Sequence, residues 1–226
     1  MNFRHSTICR RPSTVSNINL KIFPPLNAVN DNEREQLETA LQQEQDNPDK
    51  LYEKALLLID QQENTEALEL LDRYISIKRR DSAALYARAV TNLSMSNYRK
   101  AGCDLLKTIV LDPGFMQAYK HLGFVQFTLG KEESALKTLK KALEIDPRYA
   151  GIYCVLGDAY LDLGEVDKAK EAFEKALELE PDHAEPHCKI AMYYLSRGDM
   201  KGLKKEYEIL KTLDAAMAEQ IGSLFF

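Results

Sequence analysis

The sequence predicts an all-α fold, a solenoid of antiparallel helix pairs stacked in register. Two observations predict it. Residues 116–149 read MQAYKHLGFVQFTLGKEESALKTLKKALEIDPRY, and residues 150–183 read AGIYCVLGDAYLDLGEVDKAKEAFEKALELEPDH. At an offset of 34, Tyr119 falls on Tyr153, Leu122 on Leu156, Gly123 on Gly157, Gly130 on Gly164, Ala135 on Ala169 and Pro147 on Pro181. A fixed period of this length is the mark of one supersecondary unit repeated along the chain. Within each period the apolar residues also recur with helical spacing, in two separate runs.

In the leading stretch, residues 1–30, Arg4, Arg10, Arg11 and Lys21 stand without a single acid, and the stretch ends in Pro24-Pro25 and its flank. It reads as a disordered basic extension. It lacks the apolar centre of a secretory signal, although its basic, Ser/Thr-bearing composition is also that of an organellar transit peptide. Ile18, Leu20, Ile22 and Phe23 surround Lys21, a pattern suited to resting in a groove of the same chain. Residues 31–47 read as a marginal leading helix and linker. Asp31 or Asn32 stands at the cap, the stripe Leu37, Ala40 and Leu41 is thin, and Asn47-Pro48 breaks the run.

From Pro48 the frame divides into 48–81, 82–115, 116–149, 150–183 and 184–217. In 150–183 the first run places Tyr153, Leu156, Ala159 and Tyr160 on one face, and the second places Val166, Ala169, Phe173, Ala176 and Leu177. Gly164 falls between them, where a helix needs a left-handed C-terminal residue. Pro181 stops the second run. Gly130 and Gly198 mark the same turn in the neighbouring units, and Ala101, Ala135 and Ala169 stand where the paired helices approach most closely. After Lys211, Asp214 is placed to cap a last helix, Ala215 to Gly222. Residues 218–226 are expected to cover the end of the stack, with Met217, Ile221, Leu224, Phe225 and Phe226 as the apolar cover.

Residues 150–183 also match a known pattern, W-x₂-L-G-x₂-Y…A-x₃-F…P, through Tyr153, Leu156, Gly157, Tyr160, Ala169, Phe173 and Pro181, with Tyr in place of Trp. Residues 116–149 keep Tyr119, Leu122, Gly123, Ala135 and Pro147, and carry Gln126 and Leu139 in the aromatic slots. Residues 82–115 keep Ala101, Leu105 and Pro113 but have Leu85, Ala89 and Asn92 in the first-helix slots. The outer units diverge further. The first keeps Leu51, Ala55, Ala67 and Leu71 with Arg79 at the proline slot; the last keeps Ala191, Tyr194 and Tyr207 with Leu203 at the small slot and Ala215 at the proline slot. On these residues the chain resembles the tetratricopeptide-repeat family across 48–217. The resemblance implies a right-handed superhelical solenoid whose first helices line a concave groove that binds another protein, as an extended peptide or a helix.

The side chains expected to face that groove flank the buried Leu-Gly pair of each first helix. They are Tyr86 and Val90; Lys120, His121 and Phe124; Cys154, Val155, Asp158 and Asp162; and Lys189. The groove is apolar and aromatic near Tyr86, Val90, Phe124 and Val155 and turns acidic at Asp158 and Asp162, which suits an apolar segment with a basic flank. Some family members grip the acidic C-termini of chaperones with a two-carboxylate clamp. Here Lys120 fills a clamp lysine slot, but Phe124 stands in place of an amide, and Gly151, Cys154 and Val155 supply no donor. A carboxylate would lose its water without enough charge-assisted hydrogen bonds, so chaperone C-terminal peptides are not expected to bind.

Other chemistry finds little footing. No GxGxxG, GxxxxGK[ST], GxSxG or HExxH occurs, and His5, His121, His183 and His187 lie in no catalytic motif, so no enzyme activity and no cofactor are expected. His183, His187 and Cys188 fall close together, but their spacing fits no common zinc pattern, and no metal is expected. Cys9, Cys103, Cys154 and Cys188 are too irregular for a disulfide framework and read as free thiols of a reducing compartment, the cytoplasm. The net charge is −5 and the cations of residues 1–30 make the remainder more acidic still, which opposes general nucleic-acid binding. No run is apolar for long enough to span a membrane. The expected function is that of a non-catalytic adaptor or assembly factor; the alternative is a self-associating structural scaffold.

Overall fold

A computed structural model describes residues 47–225. The basic extension, the leading helix at 31–46 and the last residue, Phe226, lie outside the described residues, as do the side chains of Leu224 and Phe225. All regular structure among the described residues is helical. The helices are α1 Pro48–Asp60, α2 Asn64–Ile77, α3 Ser82–Ser94, α4 Tyr98–Leu111, α5 Met116–Thr128, α6 Glu132–Ile145, α7 Ala150–Asp162, α8 Val166–Leu179, α9 Ala184–Ser196, α10 Met200–Leu213 and α11 Ala215–Phe225. Each 34-residue frame holds two of them, and α11 runs three residues beyond the Gly222 that the sequence suggests. Two compact units divide between Asp104 and Leu105, inside α4.

The hairpin turns explain the period. Gln62, Ser96, Gly130, Gly164 and Gly198 lie 34 residues apart and have φ of 64°, 60°, 71°, 75° and 69°. At each one the chain reverses through the same bond, from the next residue's N–H back to a carbonyl of the last helical turn. These bonds are Glu63 to Leu58, Asn97 to Asn92, Lys131 to Gln126, Glu165 to Tyr160 and Asp199 to Tyr194, all between 2.8 and 2.9 Å. That bond and the left-handed residue are the two parts of a Schellman ending. Three turns use glycine, which adopts this φ without strain, whereas Gln62 and Ser96 hold it with a Cβ in the way. Helix starts are fixed by side chains that accept backbone N–H bonds. Asn47 accepts from Asp49, Asp81 from Ala84, Asp199 from Gly202 and Asp214 from Met217.

In the N-terminal unit, α1, α2 and α3 share a core of Ala55, Leu58, Ile59, Ala67, Leu71 and Ala87, with Leu51, Tyr74 and Ala84 beside it. Arg88 on α3 takes the frame position filled by Leu122 and Leu156 in later units. It is kept there by charge. Its guanidinium donates from Nε and Nη2 to both oxygens of Asp104 on α4, at 2.7 and 2.8 Å, and from Nη1 to Asp72 on α2 at 2.6 Å. The Asp104 carboxylate is 6% exposed.

In the C-terminal unit, Met116, Tyr119, Leu139, Ile152, Val155 and Leu156 join α5, α6 and α7, and Ala172 brings in α8. Phe173 and Ala169 then meet Ile190 and Tyr193 on α9. Last, α11 lays Ala218 and Ile221 on Ala191, Leu203 and Leu210 of α9 and α10, with Met217 half-buried alongside. The hairpins close on very small residues. A Cβ added to Gly157 would land on the Phe173 ring, and one on Gly123 would land on Leu139.

Two substitutions test these assignments. Ser96→Gly removes the left-handed penalty of about 1–2 kcal/mol at the cost of about 0.5–1 kcal/mol of chain entropy, so the melting midpoint is expected to rise slightly; a fall would contradict the strained turn. Arg88→Leu restores the side chain of the later units but leaves Asp104 buried without its cation, a loss of about 3–5 kcal/mol. Adding Asp104→Leu should recover most of that loss in a denaturant titration.

Candidate functional site

The first helices of the C-terminal unit, α5, α7 and α9, present successive frame positions side by side. Phe124, Asp158 and Met192 are equivalent to one another, and so are Thr128 and Asp162 one turn further along. Phe124 is half-buried against the core, Met192 is 38% exposed, and Asp162 is exposed.

Two ion pairs cross this face. Lys120 on α5 reaches Glu185 on α9 at 2.7 Å, and Lys189 on α9 reaches Asp158 on α7 at 2.5 Å. The first pair passes over the middle helix where it has no side chain. A Cβ on Gly151 would come within 3.1 Å of the Lys120 stem. Both lysines are largely covered, with side chains 19% and 31% exposed. Burial by itself raises the Glu185 carboxyl, but the charge and hydrogen bond of Lys120 and the charge of Lys189 outweigh it and hold the group below its usual range. Burial likewise opposes the charge on Lys189, and Asp158 overcomes that and raises it.

Three matches to family signatures place the repeat along the chain. A tetratricopeptide repeat matches residues 150–183, a TPR repeat residues 127–164, and a further tetratricopeptide repeat residues 34–84. This chain is built of tetratricopeptide repeats. Solved structures agree. TTC0263, a thermophilic TPR protein of Thermus thermophilus, is 26% identical, with a TM-score of 0.70 over 78% of this chain and 97% of that one. A tetratricopeptide repeat protein of Parabacteroides merdae ATCC 43184 gives 0.70 at 18% identity, over 80% and 72% of the two chains. YrrB, described as a TPR protein with an unusual peptide-binding site, gives 0.54 at 18% identity, over 83% and 97%. No curated protein matches the sequence. The last two likenesses, at such identity, speak to the fold.

Within these tetratricopeptide repeats the expected groove residues divide sharply. Tyr86, Val90, His121, Cys154 and Val155 are buried. Val155 packs with Met116, Tyr119 and Ile152, and Cys154 with Ala150 and Ala176. Buried in this way, they present no surface to a partner. Lys120, Phe124, Asp158 and Lys189 are half-buried and Asp162 is exposed, and these remain on the face. Glu185 and Gly151 complete the charge arrangement, and spacing alone does not reveal Glu185. It lies in another repeat, and only its register above Lys120 ties the two together.

The thiols and the histidine beneath are quiet. Burial pushes the Cys154 thiol up, and Glu185 adds to it; burial also raises Cys188. His187 is engaged at both ring nitrogens, Nδ1 with Glu206 at 2.6 Å and Nε2 with the Pro181 carbonyl at 2.7 Å. His183 accepts the N–H of Glu185 at the start of α9. Among the described residues no three His, Cys, Asp or Glu side chains are grouped to hold a metal, and no helix is long and apolar enough to cross a membrane.

Burial, reinforced by the Lys120 charge, lowers the His121 pKa from 6.5 to about 4. The unfolded chain therefore binds a proton between those values that the folded chain refuses, and stability falls as pH drops from about 6.5 towards 4. At about 1.4 kcal/mol per unit the span is on the order of 3 kcal/mol. His121→Leu should flatten this part of the pH–stability curve, measured by denaturant midpoints; an unchanged slope would contradict a buried neutral imidazole.

Proposed function

We propose that this chain is a non-catalytic adaptor that holds a segment of a partner protein on the face formed by α5, α7 and α9. Proteins of the family are generally non-catalytic and bind other proteins or peptides. The observation that carries this reading is the state of the charges on the face. Both lysines there are already neutralised from within, by Glu185 and Asp158. What the face offers outward is the side of Phe124, the exposed Met192 and, beside them, the exposed Asp162. An apolar stretch next to a lysine or arginine suits this combination, burying methylenes on Phe124 and Met192 while its cation meets Asp162.

An acidic C-terminus does not suit it, because a carboxylate would have to displace Glu185 from Lys120 and would gain few new donors. Chaperone C-terminal peptides are therefore not the partner. A self-associating scaffold is a second arrangement of the same fold, with no feature of this face in its favour. A cytoplasmic setting goes with free thiols and is part of this reading.

The test is quantitative affinity capture with the intact chain and with a Phe124→Glu/Met192→Glu variant whose melting midpoint is first shown to be unchanged. Partners that bind through this face should be depleted about tenfold or more in the variant, in keeping with the loss of one or two buried apolar side chains. They should carry apolar segments flanked by basic residues. Equal capture by both chains would remove the face from the function.

A further inference from the structure

The last hairpin leaves one side of its second helix without the cover that α6 and α8 receive. On α6 this side carries Leu136 and Leu143, both half-buried against a core that includes residues of α7 and α8. On α8 it carries Val166 and Leu177, half-buried against a core that includes Ile190 and Tyr193 of α9. The same frame positions on α10 hold Met200, Lys204 and Lys211. At i, i+4 and i+11 these three form one stripe along the helix. Helix α11 packs on Leu210, with Tyr207 alongside. Yet Met200 is 52% exposed, and both lysines are exposed.

Charge gives this stripe one sign. Lys201 and Lys205 extend it on one flank, and Arg197 stands in the turn before α10; all three are exposed. At the positions of Lys201 and Lys205, α8 carries Asp167 and Glu171. The acids of α10 and of its two flanking turns are already engaged. Asp199 and Asp214 accept backbone N–H bonds at helix starts. Glu206 is buried against His187 at 2.6 Å, with Lys205 3.7 Å away, and Glu208 pairs with Lys211 at 2.5 Å. Among the described residues, Arg197, Lys201 and Lys204 have no carboxylate within ion-pair distance. On a chain of net charge −5 this is a concentrated positive edge.

We propose that this side of α10 docks an acidic helix of another protein, lying along the open side where a further repeat would pack. The helix carries Asp or Glu at i, i+4, i+7 and i+11 against the cations and an aliphatic side chain against Met200. Charge complementarity selects this occupant. A second copy of the chain is a worse one, because an isologous contact sets Lys204 and Lys211 against their own counterparts. A nucleic acid or an anionic membrane presents a broad negative surface to a chain whose net charge repels it, whereas a helix touches the stripe alone. The site lies on α10, apart from the face on α5, α7 and α9, and does not depend on it.

The experiment uses the full chain and a fluorescein-labelled helical peptide with glutamate at i, i+4, i+7 and i+11 and leucine at i+3 and i+8, followed by fluorescence anisotropy. A twin peptide with lysine in place of glutamate is the control. The wild type should bind the glutamate peptide and not the lysine peptide. Lys204→Glu/Lys211→Glu should weaken the glutamate peptide about tenfold or more and gain the lysine peptide. Lys201→Gln/Lys204→Gln removes two cations that pair with no acid in the fold. It should weaken the glutamate peptide about threefold or more with the melting midpoint unchanged, which guards against a folding defect in the first variant. The proposal is overturned if neither peptide binds, if both bind alike, if the substitutions leave affinity unchanged, or if the charge reversal fails to reverse the preference. It is equally overturned if light scattering shows self-association that the substitutions dissolve, or if the chain binds phosphatidylserine vesicles through these lysines while ignoring the glutamate peptide.

Discussion

An aromatic ring resting on bare backbone sets the geometry of the best-formed hairpin. Phe173 occupies the space that a side chain on Gly157 would need, so its ring rests directly on the backbone of α7. Gly123 and Leu139 repeat the arrangement one unit earlier. Such contacts leave no slack, because packed interiors respond to a single added carbon. The spacing within each hairpin fixes where the following hairpin lands, and the regular succession of frame positions on α5, α7 and α9 follows from it. A face assembled from Phe124, Asp158 and Met192 exists only because that spacing is kept.

Local features of this design were legible in the sequence. The turn glycines announced themselves at fixed intervals, as did the small residues under the aromatic slots, because each answers to a constraint a few residues away. The same reasoning passed over Gln62 and Ser96, which hold the left-handed conformation without glycine; only their place in the 34-residue frame marks them. It also passed over Arg88. An arginine in a leucine slot reads as a surface residue until two acids on neighbouring helices, Asp72 and Asp104, are seen to converge on it. Both acids are 16 residues away along the chain, beyond any helical pattern.

The face was only half legible for a similar reason. Amphipathic periodicity separates a wet side from a dry side, but a first helix in a stack has dry neighbours on two sides. Tyr86, Val90, His121, Cys154 and Val155 lie on the part of the circumference that a lone helix would leave wet. Val155 is covered there by Met116 and Tyr119 of α5 and Cys154 by Ala176 of α8, a fact that belongs to packing between helices and not to the helix itself. The charged residues were found, yet their pairing was not. Lys120 reads as a cation offered to a ligand, whereas Glu185 already holds it.

The strut between Lys120 and Glu185 also bears on how the array comes apart. In an ideal linear array each repeat touches its immediate neighbours, so unfolding is free to start at an end and peel inward one repeat at a time. This ion pair skips a repeat. It ties the third hairpin to the fifth across the first helix of the fourth, where Gly151 leaves room. Fraying of α9 therefore breaks a bond anchored two hairpins away, which adds up to about 1 kcal/mol of coupling between the last repeat and the third.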